Sequence, residues 1–175
     1  MNEVLQAIKS RRSIRKFKSD MVRQDEIDKI VEAGLYAASG MNRQSTKIIV
    51  IKNKELRDKF AAVNAKIGGW REGFDPFYGA PVVAVVLSDK DNPIGIYDGS
   101  LVIGNMMLAA HSLGIGSCWI HRAKEEFDLP EYQEFLRNLG IEGNWEGIGH
   151  CILGYADTNE PAALPRAKNR VYVVE

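Results

Sequence analysis

Three arginines and a serine, Arg11, Arg12, Ser13 and Arg15, stand together in KSRRSIRKF (residues 9–17), with Lys9 and Lys16 on either side. Nothing acidic lies closer than Glu3 upstream or Asp20 downstream. Planar guanidinium forks bind phosphate oxygens in pairs, and a serine adds a hydroxyl and a backbone N–H. These residues offer a phosphate clamp; a solvated helix end is the alternative on the same residues. A second basic group, Arg166, Lys168 and Arg170, completes such a site if folding brings it there. The loop SGMNRQS (39–45) carries Ser39, Asn42 and Gln44. The two amides each set a donor beside an acceptor, which suits the edge of a heteroaromatic ring or a plain turn. In GIGSCWI (114–120) glycines let a backbone N–H approach a ring closely.

Most other catalytic constellations are missing. No HExxH or GxSxG surrounds His111, His121 or His150, the three histidines. His111 is expected near the end of an apolar helix, as a capping or dipole-facing group. His150 is expected inside a strand as a satisfied core histidine, and His121, at a strand end, is the site candidate among the three. No GxGxxG follows a strand, and GxxxxGK[ST] is absent, so neither a Rossmann site nor a P-loop is expected. Reactivity is then expected from a cofactor that the chain binds and tunes.

The 175 residues hold 23 Lys and Arg against 23 Asp and Glu, so no global field attracts nucleic acid or an anionic membrane. One domain over 1–175 is expected from the length. MNEVLQAIKS lacks the apolar centre of a signal peptide, and VVAVVL (82–87) is too short to cross a bilayer. Cys118 and Cys151 sit in apolar, strand-like surroundings without metal or redox spacing, which favours free buried thiols and a cytoplasmic setting.

Hydrophobic periodicity predicts helices over 3–9, 24–38, 54–67, 97–112 and 130–140. Strands are predicted at 46–53, 79–89, 115–120 and 147–156. RVYVVE (170–175) alternates like a further strand. Gly114 is expected to close the 97–112 helix, whose apolar, small-residue composition suggests a central or subunit-interface element. The order of elements is that of an α+β fold.

Arg11–Phe17, Ala38–Gln44, Gly79–Ala80–Pro81, Asp98 and Leu113–Ile120, in this order and spacing, resemble the nitroreductase family of flavin-dependent oxidoreductases over residues 4 to about 172. The resemblance implies an α+β nitroreductase-like fold with a central mixed, mainly antiparallel sheet packed by helices, as a homodimer with FMN at the subunit interface. It implies that Arg11, Ser13 and Arg15 hold the FMN phosphate and ribityl chain, with Arg12 beside them and Lys168 and Arg170 reaching the phosphate. Ser39, Asn42 and Gln44 match the family's flavin loop, in part acting on the partner's site. Trp119, Ile120, His121 and Arg122 match the segment passing the ring. The implied activity is ping-pong hydride transfer from NADH or NADPH through flavin N5 to a nitroaromatic, quinone or similar flat acceptor, with no catalytic side chain. A non-catalytic flavin-binding redox sensor, or a flavoenzyme with another reductive reaction such as dehalogenation, stays open. Ser45 stands where many relatives have proline, and KIGGWREGFDPFY (66–78) is short where larger members insert helices. Trp70, Phe74, Phe77 and Tyr78 either line the acceptor pocket or pack the core.

Overall fold

The structure, a computed structural model, describes residues 2–175. In chain order it comprises α1 (Glu3–Ser10), α2 (Gln24–Leu35), a 3-10 turn (Gly40–Asn42), β1 (Thr46–Ile51), α3 (Lys54–Ile67) and β2 (Val82–Asp89). There follow α4 (Gly95–Ser112), β3 (Gly116–Ile120), α5 (Ala123–Phe127), α6 (Pro130–Asn138) and β4 (Trp145–Gly154). The strands form one sheet in the order β1-β2-β4-β3, each pair antiparallel. An isolated Ser13–Ser117 bridge supplies a parallel pairing. This is the α+β class expected.

Alternation sorts β2 between two cores. Val83, Val85 and Leu87 pack with Phe60 of α3, Phe127 of α5 and Leu136 of α6. Val82, Ala84 and Val86 face Ile27 and Ile30 of α2 and Val102, Ile103 and Met106 of α4. A strand covered on both faces needs a continuous apolar run, which VVAVVL provides. Close helix approach uses two glycines: a Cβ on Gly99 would come within 2.6 Å of Ile148, and one on Gly34 within 2.7 Å of Met106. Beyond α4, Gly114 takes φ +74°. Its N–H donates to His111 O, and the Ile115 N–H donates to Ala110 O, a Schellman closure.

Several boundaries differ from the sequence reading. The second helix stops at Leu35, because residues 36–39 turn away toward the 3-10 turn. α5 has five residues, too short to announce itself by periodicity. Residues 170–175 form no strand; they are exposed, as Val171 and Val174 are at 83% and 96%. The outer edge of β3 is met at Ser117 by Ser13 and Ile14, and the Ile14 N–H donates to Ser117 O at 2.9 Å. The apolar face of α1 (Val4, Leu5, Ile8) is also exposed, as are Ile96, Tyr97 and Leu101 on α4.

Candidate functional site

The basic strip starts where α1 ends. The Arg11 N–H donates to Ala7 O, closing the helix, and the chain then runs extended along β3. Ile14 is buried, and a Cβ on Gly116 would touch its side chain at 3.1 Å. Extended backbone alternates faces, so seating Ile14 inward turns Ser13 and Arg15 the other way. Arg15 is exposed and Ser13 half-buried. The strip ends where Lys18 N–H donates to Tyr155 O and Phe17 bridges Ala156.

The three arginines are not equivalent. Arg12 turns back to cap the chain, donating from Nη1 to Lys9 O (2.8 Å) and Arg11 O (2.6 Å). Arg11 Nη1, Arg12 Nε and Trp119 Nε1 are buried with no hydrogen-bond partner within the described residues. Trp119 stands opposite Cys151 in the β3–β4 register, its indole within 3 Å of where a Gly149 Cβ would lie. Burial pushes the Cys151 thiol up to about 12, with Cys118 adding to the shift and the Arg11 charge opposing it. Unsatisfied buried donors are rare, and donors without a facing acceptor have the polarity that an acceptor-rich anion completes.

The end of β3 is held from below. Glu126 and His150 are fully buried and bonded at 2.7 Å, while His150 Nδ1 lies 3.3 Å from Ile120 O. Asn64 Nδ2 donates to both Glu126 Oε1 (2.9 Å) and His121 O (2.8 Å). This fixes the carbonyls of Ile120 and His121 and delivers Arg122 with φ +80°. His150 is therefore the satisfied core histidine expected, and His121 is exposed beside Trp119, ring centres 6.1 Å apart. His111 bonds Ser10 Oγ at 2.7 Å and Glu160 at 3.3 Å, tying α1 and the C-terminal arm to α4.

Of the four candidate pocket aromatics, Phe77 belongs to the core, fully buried against His150. Trp70 and Phe74 lie 5.1 Å apart and line a groove of about 490 Å³ with Lys66, Arg71 and Asp75. Arg122 reaches to 5.9 Å from the Trp70 ring, linking that groove to the end of β3. Tyr78 is half-buried against the core and Phe74.

Ser39, Asn42 and Gln44 form a separate cluster. The Gln44 N–H donates to Ser39 Oγ at 3.0 Å, and Gln44 Nε2 to Asn42 Oδ1 at 3.0 Å. This loop is pinned near the start of α4 through Asp98, whereas the basic strip is pinned near its end through His111. Thirteen helical steps separate Asp98 from His111, about 20 Å at 1.5 Å each. The sheet agrees: Ser13 bridges Ser117, opposite Leu153, while Thr46 at the loop's exit registers through Ser88 with Glu146. Seven residues of β4 span about 23 Å. One chain thus joins Arg11, Arg12, Ser13 and Arg15 to Trp119, but does not bring the loop to them. Lys168 and Arg170 lie on the exposed arm and make no hydrogen bond or ion pair among the described residues.

Residue types had not signalled Asn64, Asn92, Asp98 or Glu126 as polar ties. Only Asp98 carried a hint, as the one acid in a helix otherwise apolar and small. No group of three metal-ligating side chains occurs among the described residues, and none of their helices is long and apolar enough to cross a membrane.

A four-stranded antiparallel sheet between two helical layers, with an arginine-rich segment at its edge, defines an α+β fold. The chain belongs to the nitroreductase family, which it matches over residues 8–68 and 69–155. It is similar to the nitroreductase with bound FMN from Desulfitobacterium hafniense (32% identity, TM-score 0.89) and to that from Bacteroides fragilis (32%, TM-score 0.84), each pair covered over 100% of both chains. It is also 28% identical to the NADPH-flavin oxidoreductase of Vibrio harveyi, over 100% of this chain and 74% of that one.

Proposed function

We propose that residues 1–175 form one FMN-binding domain of a homodimeric oxidoreductase that uses NADH or NADPH to reduce a nitroaromatic, quinone or similar flat acceptor in ping-pong turnover. The observation that carries this reading is the pair of buried, partnerless donors Arg11 Nη1 and Arg12 Nε on the two residues before Ser13, with a third, Trp119 Nε1, on the strand that Ser13 bridges. FMN is the cofactor named for the similar Desulfitobacterium and Bacteroides proteins. When bound it supplies hydride exchange at N5, chemistry that no side chain here offers.

The chain's own residues bind and orient. Arg11, with Ser13 and Arg15, holds the phosphate end, and Arg12 adds its free Nε. Trp119, Ile120 and His121 flank the ring end, where the buried Glu126–His150–Asn64 tie prevents the backbone from shifting. A site fixed before the reaction needs little reorganisation during it. Trp70 and Phe74 offer flat apolar surface to the acceptor.

Ser39, Asn42 and Gln44 act on the partner's site, since they stand about 20 Å from their own basic strip. The exposed apolar faces of α1 and α4, and the arm bearing Leu164, Val171 and Tyr172, are surfaces a second copy would cover. Lys168 and Arg170 ride on that arm toward the phosphate. The two unpaired, buried cysteines accord with a reducing, cytoplasmic setting.

The test is the visible spectrum of the purified protein, followed by anaerobic addition of NADH or NADPH. A yellow protein that bleaches, and recovers when a quinone is added, supports the reading. A protein that stays colourless after incubation with FMN refutes it. A yellow protein that never bleaches makes it a flavin-binding sensor.

A further inference from the structure

The loop bearing Asn42 and Gln44 is strained and exposed, yet its base is anchored to a buried acid. Met41, Asn42 and Gln44 have φ of 54°, 54° and 51°, the left-handed region that side chains resist. Met41 is 85% exposed, so packing does not impose this conformation. What does is polar. Asp98, 4% exposed in the first turn of α4, accepts from Gly40 N–H at 3.0 Å through Oδ1. Its Oδ2 accepts from Asn92 Nδ2 at 3.1 Å, and the same Nδ2 donates to Ser45 Oγ at 2.7 Å. The Asn92 amide is itself oriented, because its Oδ1 accepts from Ile94 N–H at 3.3 Å. Gly40 permits the contact: a Cβ there would fall 1.9 Å from Ile94 Cδ1.

We propose that Asp98 is a positioning residue which, directly at Gly40 and through Asn92 at Ser45, latches both ends of the loop so that Asn42 and Gln44 are presented outward in one conformation. The two attachment points bracket the strained residues, so the turn cannot relax by sliding either end. Ser45 is the chain's own version of this restraint: a hydroxyl held by a buried amide. Strain persists at a site only where its surroundings over-determine it, and a preset loop loses less entropy when it meets a ligand. The latch rests on the reading of this loop as a flavin contact for its consequence, but not for its existence.

Hydrogen exchange on the flavin-free chain tests the latch, and an FMN titration tests its consequence. In Asp98→Ala the amides of residues 40–45 should exchange at least tenfold faster while those of the second half of α4 keep their rates. The FMN Kd should rise at least tenfold. Asn42→Ala should then cost less affinity in the Asp98→Ala background than in the unmodified chain, because a loose loop no longer presents Asn42. Ser45→Ala, which leaves the Asp98–Gly40 bond intact, should give the same pattern in milder form and serves if Asp98→Ala fails to fold. Unchanged exchange at 40–45 overturns the latch. Multiplicative, independent losses for Asp98 and Asn42 overturn the positioning role. If the unmodified chain binds no FMN, the presentation to flavin is overturned, and exchange alone still decides the latch.

Discussion

Replacing Arg11 with Met should move two quantities in opposite directions. The Arg11 Nη1 atom is buried without a hydrogen-bond partner among the described residues, although the residue as a whole is half-buried. An unsatisfied buried donor costs about 1–3 kcal/mol, and methionine keeps the apolar stem while removing the head. Allowing for imperfect repacking, the flavin-free variant should gain about 1 kcal/mol. In a chain of this size that raises Tm by about 2–4 °C. Against FMN, the same change removes a charge-assisted hydrogen bond worth about 1.5–3 kcal/mol, a rise in Kd of about 10- to 150-fold. Thermal melting of the dialysed, flavin-free protein gives the first number, and quenching of flavin fluorescence gives the second. A variant that melts lower while binding FMN unchanged would show Arg11 to be a structural cation and would refute the assignment. A loss of both would mean that its partner lies within the chain.

Arg15→Ala should weaken FMN by about 1.5–3 kcal/mol but leave the flavin-free melt unmoved, since Arg15 is exposed; an unchanged Kd removes it from the phosphate site. Asp on the exposed apolar face, as Ile8→Asp or Leu101→Asp, should yield monomers in sedimentation and lose FMN together with the dimer; a dimer that persists in both variants places the interface elsewhere. Glu126→Ala should destabilise the fold by about 1–3 kcal/mol in urea, because it removes the hydrogen-bond partner of the fully buried His150; an unchanged urea midpoint would mean that the tie is dispensable. Burial holds the Cys151 proton in the folded chain up to about 12, against 9.0 for an ordinary thiol. The folded state thus binds this proton more tightly than the unfolded one. Its contribution is complete below pH 9 and is lost as the pH climbs toward 12, at most about 4 kcal/mol from the three-unit gap. Cys151→Ala should flatten the alkaline slope of urea stability, and an identical slope in the variant would refute this.

What was legible in the sequence follows the range of each interaction. Five of the six helices, Gly114 as a helix stop and the strand containing VVAVVL are decided within a few residues, so periodicity and turn chemistry sufficed for them; the five-residue α5 was too short to show. The RRSIR strip was legible as a concentration of guanidinium groups because that chemistry is carried by residue type. Its unequal use was not: whether Arg12 turns back on its own helix while Arg11 keeps a free donor depends on where α1 stops and how Ile14 seats on Gly116. RVYVVE shows the converse. Its alternation is real, but alternation alone supplies no partner strand, and residues 170–175 pair with none among the described residues. The polar ties lay furthest out of reach, since Asn64 meets Glu126 across 62 positions and Gly40 meets Asp98 across 58. Within one chain, the basic strip and the amide loop are tied to opposite ends of the same helix, a separation of about 20 Å that no residue type announces.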